Sequence, residues 1–103
     1  MDNGIKKLID LLSRAHDCNA ECITVEYKDG EYFIDAEAGN MGIGIDRIST
    51  QEELSELLIE SIYNLRKRRQ KTVTAPEQKF KIKIETYEDF GNQAYRIWFT
   101  KMS

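Results

Sequence analysis

The dipeptide Asp29-Gly30 sits between two runs whose apolar residues mirror one another, and this feature constrains the chain more than any other. Asp-Gly is the two-residue signal of a type I′ turn, because both central positions need a positive φ that these residues tolerate. Folding about it pairs Tyr27 with Tyr32, Val25 with Ile34 and Ile23 with Ala36 on one face. Thr24, Glu26, Lys28, Glu31, Phe33, Asp35 and Glu37 fall on the other. Strand side chains alternate with a period of two, so this hairpin must bury its apolar face and wet its acidic one.

Two helical patterns can cover that apolar face. Ile5, Leu8, Ile9, Leu12 and Ala15 recur at helical spacing and predict a helix over residues 4–18, with Asn3 as N-cap and Asn19 closing it in a left-handed turn. Leu54, Leu57, Leu58, Ser61, Ile62 and Leu65 predict a second. There Ser49 or Thr50 would cap the start, and Glu52 or Glu53 would complete a capping box. Between them, Met41, Ile43 and Ile45 alternate with Gly42, Gly44 and Asp46, which predicts a third strand with glycines where a bulky neighbour comes close.

Residues 72–78, with the single proline Pro76, are expected to form a connector. Phe80, Ile82 and Ile84 then alternate with Lys79, Lys81, Lys83 and Glu85, and Tyr95, Ile97 and Phe99 alternate with Arg96, Trp98 and Thr100. These are two strands around a loop over residues 88–93; setting Ile84 opposite Ile97 puts Glu85 against Arg96 and Lys83 against Trp98. The expected fold is one α+β domain over residues 1–103, in the order α-β-β-β-α-β-β. It is a five-stranded antiparallel sheet with both helices on one face. A chain of 103 residues, 41% hydrophobic and 32% charged, suits one core of that kind.

Charge is sharply segregated beneath a net charge of only −3. Residues 17–60 hold twelve acidic and two basic residues, and residues 61–83 hold eight basic residues against Glu77. Segregation of this kind steers charged partners. It also lets one molecule pair with a second copy, so a homo-oligomer is a further expectation. No apolar run approaches the roughly 20 residues that cross a bilayer, and no partnership with a membrane is expected. The start of the chain lacks the basic-then-apolar layout of a signal peptide, so the expected location is cytoplasmic, with reduced thiols.

His16, Cys18 and Cys22 are the one cluster of metal-ligand residue types, and structural zinc needs a fourth ligand that no other histidine or cysteine supplies. Catalysis by a cysteine would need His16 oriented from the same short connection. The chain is therefore expected to be a binding protein rather than an enzyme, with no cofactor and no metal. Two surfaces are candidates. Glu26, Glu31, Phe33, Asp35 and Glu37, continued by Glu52, Glu53 and Glu56, would space carboxylates like the phosphates of DNA and occupy a protein's nucleic-acid groove. Arg66, Lys67, Arg68, Arg69, Lys81, Lys83, Arg96 and Trp98, extended by Lys71 and Lys79, would instead hold nucleic acid directly, with cations around an aromatic platform.

The amphipathic residues 5–12, the hairpin over residues 25–37 and the acidic start of the second helix resemble, in layout and charge, the small type II-A anti-CRISPR proteins of phages and mobile elements. That resemblance implies an inhibitor or adaptor whose partner is a CRISPR effector or another nuclease, blocked where DNA would dock. The order over residues 4–71 also matches the double-stranded RNA-binding domain. That family places lysines at the start of its second helix, where this chain has Gln51, Glu52 and Glu53.

Overall fold

A computed structural model describes residues 2–68, 71–75 and 77–102. The elements run α1 (Asn3–Asp17), β1 (Cys22–Lys28), β2 (Glu31–Ala38), β3 (Met41–Ser49), α2 (Glu53–Arg66), β4 (Thr72–Ala75), β5 (Gln78–Asp89) and β6 (Asn92–Met102). The fold is α+β, and the sheet has six strands rather than five, in the order β3-β2-β1-β6-β5-β4. Every neighbouring pair is antiparallel. The added strand is β4, which replaces the expected connector: Thr72 pairs with Lys81 and Val73 with Phe80, and Val73 is buried. A helix followed by three strands thus occurs twice, and the two units meet along the β1–β6 seam.

The β1–β2 hairpin has the expected register, with Asp29 at φ 51° and Gly30 at φ 81°. The β5–β6 register also holds, with Ile84 against Ile97, Glu85 against Arg96 and Lys83 against Trp98. Their connection is shorter than expected, because the strands reach Asp89 and Asn92 and leave only Phe90-Gly91 to turn. In β3 the glycines do not accommodate a bulky neighbour: Gly42 faces open space, and a Cβ on Gly44 would meet only Asp35 Oδ1, at 3.5 Å.

Both helices lie on the face carrying Ile23, Val25, Ile34, Ala36, Phe80, Ile82 and Ile97, and one cluster joins these residues to Leu8, Leu12, Leu58, Ile62 and Leu65. The caps differ from expectation. Asp2, not Asn3, caps α1, its Oδ1 accepting from the Gly4 N–H at 2.6 Å, while Asn19 does end that helix at φ 60°. Glu52 stands at the N-cap of α2 without a side-chain cap; Ser49 Oγ accepts from the Gln51 N–H, and the Thr50 hydroxyl donates to the Gly30 carbonyl. The helices cross at Gly4, where a Cβ would collide with the Leu57 carbonyl and Ser61 Oγ. A ladder of opposite charges ties α1 to β3, since Lys7 and Arg14 both reach Asp46 Oδ2, at 2.5 and 2.8 Å. Arg14 also donates to the carbonyl of Ile45, the extra residue of the bulge in that strand. Among the described residues no helix is long and apolar enough to cross a membrane.

Candidate functional site

Among the described residues no helix packs on the second face of the sheet, and alternation dictates what it displays. One row crosses it through Gly42, Glu37, Cys22, Trp98 and Lys83, and the next through Gly44, Asp35, Thr24, Arg96 and Glu85. A third carries Arg47, Phe33 and Glu26 on one side of the seam and Ala94 and Tyr87 on the other. The two sets of residues predicted as alternatives, the hairpin acids and the β5–β6 cations, are therefore neighbours on a single surface. The short side chains of Cys22, Thr24 and Ala94 floor the seam and are buried there.

Across that floor the acidic half is largely engaged. Arg96 Nη2 lies 3.9 Å from Glu37 Oε1, and the Cys22 thiol donates to Glu37 Oε2 at 3.7 Å. Arg47 Nε lies 3.4 Å from Glu31 Oε2, with its guanidinium 5.5 Å from the centre of the Phe33 ring. Burial raises the pKa of Glu26, as does the nearby Asp89, although Tyr87 donates a hydrogen bond to it. Burial and the same bond to Glu26 push the Tyr87 hydroxyl up. Asp35 has no ion-pair or side-chain hydrogen-bond partner among the described residues. Cys22 is pushed up to about 11, first by burial and then by Glu37, so its thiol stays protonated and a poor nucleophile near neutral pH.

The other half is basic and less engaged. Lys79, Lys81 and Lys83 stand on alternate positions of β5, and all three are exposed. Among the described residues, only Lys83 of the three has a carboxylate within reach, Glu85 Oε1 at 3.8 Å, and an exposed pair of that length contributes little. Trp98, the one tryptophan, donates its indole N–H to the same Glu85 oxygen at 2.7 Å and keeps 36% of its surface exposed. Two open grooves meet over Lys81 and Lys83. One, of about 680 Å³, is lined by His16, Trp98, Thr100 and Lys101; the other, of about 630 Å³, by Lys71, Thr72, Lys79 and Met102.

Several expected site residues lie elsewhere. Glu52, Glu53 and Glu56 are at the start of α2, on the helix-covered side, so they do not continue the acidic rows of the hairpin. Arg66 ends α2, and Lys67 Nζ sits 4.2 Å over the ring of Tyr63. Arg68 gives its carbonyl to Lys71 Nζ at 2.9 Å. None of Arg66, Lys67 and Arg68 lines the lysine grooves. Arg69 lies outside the described residues. His16 faces the first groove, Cys18 is exposed at the end of α1, and Cys22 lies under Glu37, so the three possible ligands are separated. Among the described residues no three histidine, cysteine or acidic side chains are grouped to hold a metal ion.

Lys71 and Lys79, expected to extend the basic face, line the second groove. Lys101 lines the first and was not among the expected residues, since its place depends on the pairing of distant segments. No protein-family model matches this sequence, and no curated protein matches it.

Proposed function

We propose that this protein is a non-enzymatic binding module for single-stranded nucleic acid, working through the β5–β6 half of the open sheet face. The observation that carries this reading is the line of Lys79, Lys81 and Lys83 beside the exposed, hydrogen-bonded Trp98. Alternate strand residues stand about 6.7 Å apart, close to two nucleotide rises of a stacked strand. Ammonium groups at that spacing track a phosphate backbone while the indole offers a base a flat surface to stack on. Glu85 holds the indole N–H, so the ring is fixed before the ligand arrives. The acids of β1 and β2 confine the strand to the basic half by repulsion.

The experiment is a titration with a short oligothymidylate in dilute buffer, followed by the fluorescence of Trp98. Saturable quenching whose affinity falls about 100-fold per tenfold rise in salt matches three released counterions. No quenching and no binding in dilute buffer contradicts the reading.

A second reading rests on a different observation, that Asp35, among Glu26, Glu31 and Glu37 on one surface, has no ion-pair partner among the described residues. On it, the acidic half binds the basic groove of a nucleic-acid-handling protein as an inhibitor or adaptor, in the manner of the anti-CRISPR proteins. An affinity pull-down from a bacterial lysate separates the two: a single partner that survives nuclease supports the second, and recovery of nucleic acid supports the first.

A further inference from the structure

On the helix-covered side, an open groove of about 440 Å³ runs between α2 and the sheet. Glu56, Glu60 and Tyr63 form one stripe of α2 along its wall, at the i, i+4, i+7 spacing that puts residues on the same side of a helix. Tyr32 and Tyr95 reach it from β2 and β6. Three phenol rings and two exposed carboxylates thus line a single depression. Tyr32 is packed edge-on to Tyr27, with ring centres 5.7 Å apart, and burial raises the pKa of its hydroxyl. Tyr63 is 45% exposed, and its ring already carries a cation in this structure, the ammonium of Lys67.

The lining selects its ligand by exclusion. Glu56 and Glu60 repel anions. A neutral apolar group would gain nothing from the carboxylates. The Lys67 ammonium can sit over Tyr63 because Lys67 is exposed and keeps its water; a lysine ammonium inside the groove would lose it. A quaternary ammonium has no N–H groups to satisfy, a diffuse charge and an apolar skin, and ring faces attract it through their quadrupole. We infer that the groove formed by Tyr32, Tyr63, Tyr95, Glu56 and Glu60 is a binding site for a quaternary ammonium group, either of a free small molecule or on a trimethylated lysine side chain. The site is on the other side of the sheet from the lysine line and does not depend on the nucleic-acid reading.

The test is a proton NMR titration comparing choline with its uncharged isostere 3,3-dimethylbutanol. Choline methyl signals should move upfield and saturate, and the alcohol should bind about 10-fold more weakly. Tyr63→Phe, which keeps the ring, should retain the shift, whereas Tyr63→Ala and the pair Glu56→Gln/Glu60→Gln should each weaken choline binding about 5-fold or more. These residues are exposed, and unchanged amide spectra would show that the fold is intact. A trimethyllysine peptide that binds more tightly than choline, and fails without its methyl groups, assigns the site to a modified side chain; choline binding at least as tightly assigns it to a free ligand. Equal binding of choline and the alcohol, or indifference to Tyr63→Ala, overturns the inference.

Discussion

The chain is built of two units with the same order, a helix and three antiparallel strands, and they differ in what their charges do. In the first, α1 with β1–β3, the outward acids are met by cations that reach sideways: Arg47 to Glu31, and Arg96 from across the seam to Glu37. In the second, α2 with β4–β6, the outward cations are lysines on alternate positions of one strand, and Lys79 and Lys81 have no acidic partner among the described residues. Arginine, with a planar fork, suits a pairing role, whereas lysine is a hydrated point charge on a mobile stem. Similar alternation therefore yields one half of the surface that is mostly closed on itself and one that is open to a ligand. The units differ inside as well, since Lys7, Asp10, Arg14 and Asp46 lace α1 to β3.

The most severe way to break the comparison is to remove the core the units share. Phe80, fully buried and edge-on to Phe99, belongs to the second unit, and Ile34, also fully buried, to the first. Phe80→Ala should cost about 3–5 kcal/mol and Ile34→Ala about 2–5 kcal/mol. Both losses should appear in the same single denaturant transition, whether read by circular dichroism or by Trp98 fluorescence. Two separated transitions would mean that each unit has its own core.

Next in size is charge reversal on the open face. Lys79→Glu/Lys81→Glu/Lys83→Glu should lower oligonucleotide affinity at least about 100-fold while leaving stability within about 0.5 kcal/mol. Asp35→Lys, on the acidic half, should raise that affinity a few-fold. Equal effects from the two halves would erase the distinction between them.

Smaller effects separate two carboxylates of the first unit by pH. Burial opposes ionisation of Asp46, but the hydrogen bonds from Lys7, Arg14 and the Arg47 backbone outweigh it and hold the carboxyl below its usual range. Its contribution is complete above the unfolded value near 3.9 and is lost as pH falls through the lower folded value. Asp46→Asn should cost about 1–2 kcal/mol at pH 7 and flatten the acid limb of the stability curve. Glu26 has the opposite sign. Burial raises its pKa, so the folded state carries a penalty that is absent below the unfolded value and grows as pH rises through the folded one. Glu26→Gln should therefore stabilise the protein slightly at pH 7, by about 0.5 kcal/mol, and leave it unchanged near pH 3.5. Denaturation series at the two pH values check both signs.

The hairpins were legible in the sequence because each is local: Asp29-Gly30 fixes one register, and the alternation in residues 79–85 and 95–100 fixes the other. β4 was not legible. Thr72–Ala75 is too short to show a period and adjoins Pro76, and it is a strand only because β5 offers it an edge. The cap of α2 was not legible because two hydroxyls and two glutamates stand at suitable spacings, while a tertiary bond claims the Thr50 hydroxyl and a local one, from the Gln51 N–H, that of Ser49. The sign of each surface could be read from composition. That Glu37 is engaged by Arg96 could not, since it depends on the β1–β6 seam between segments some 70 positions apart. The tyrosine groove was hidden for the same reason, with its rings coming from β2, α2 and β6.

The most direct test of the central claim, that the open half of this face binds and the closed half does not, is amide chemical-shift mapping during an oligothymidylate titration. The account predicts that saturating shifts fall on residues 79–85 and 96–101 and leave residues 31–37 in place. Shifts centred on residues 31–37, or none on β5, would contradict it.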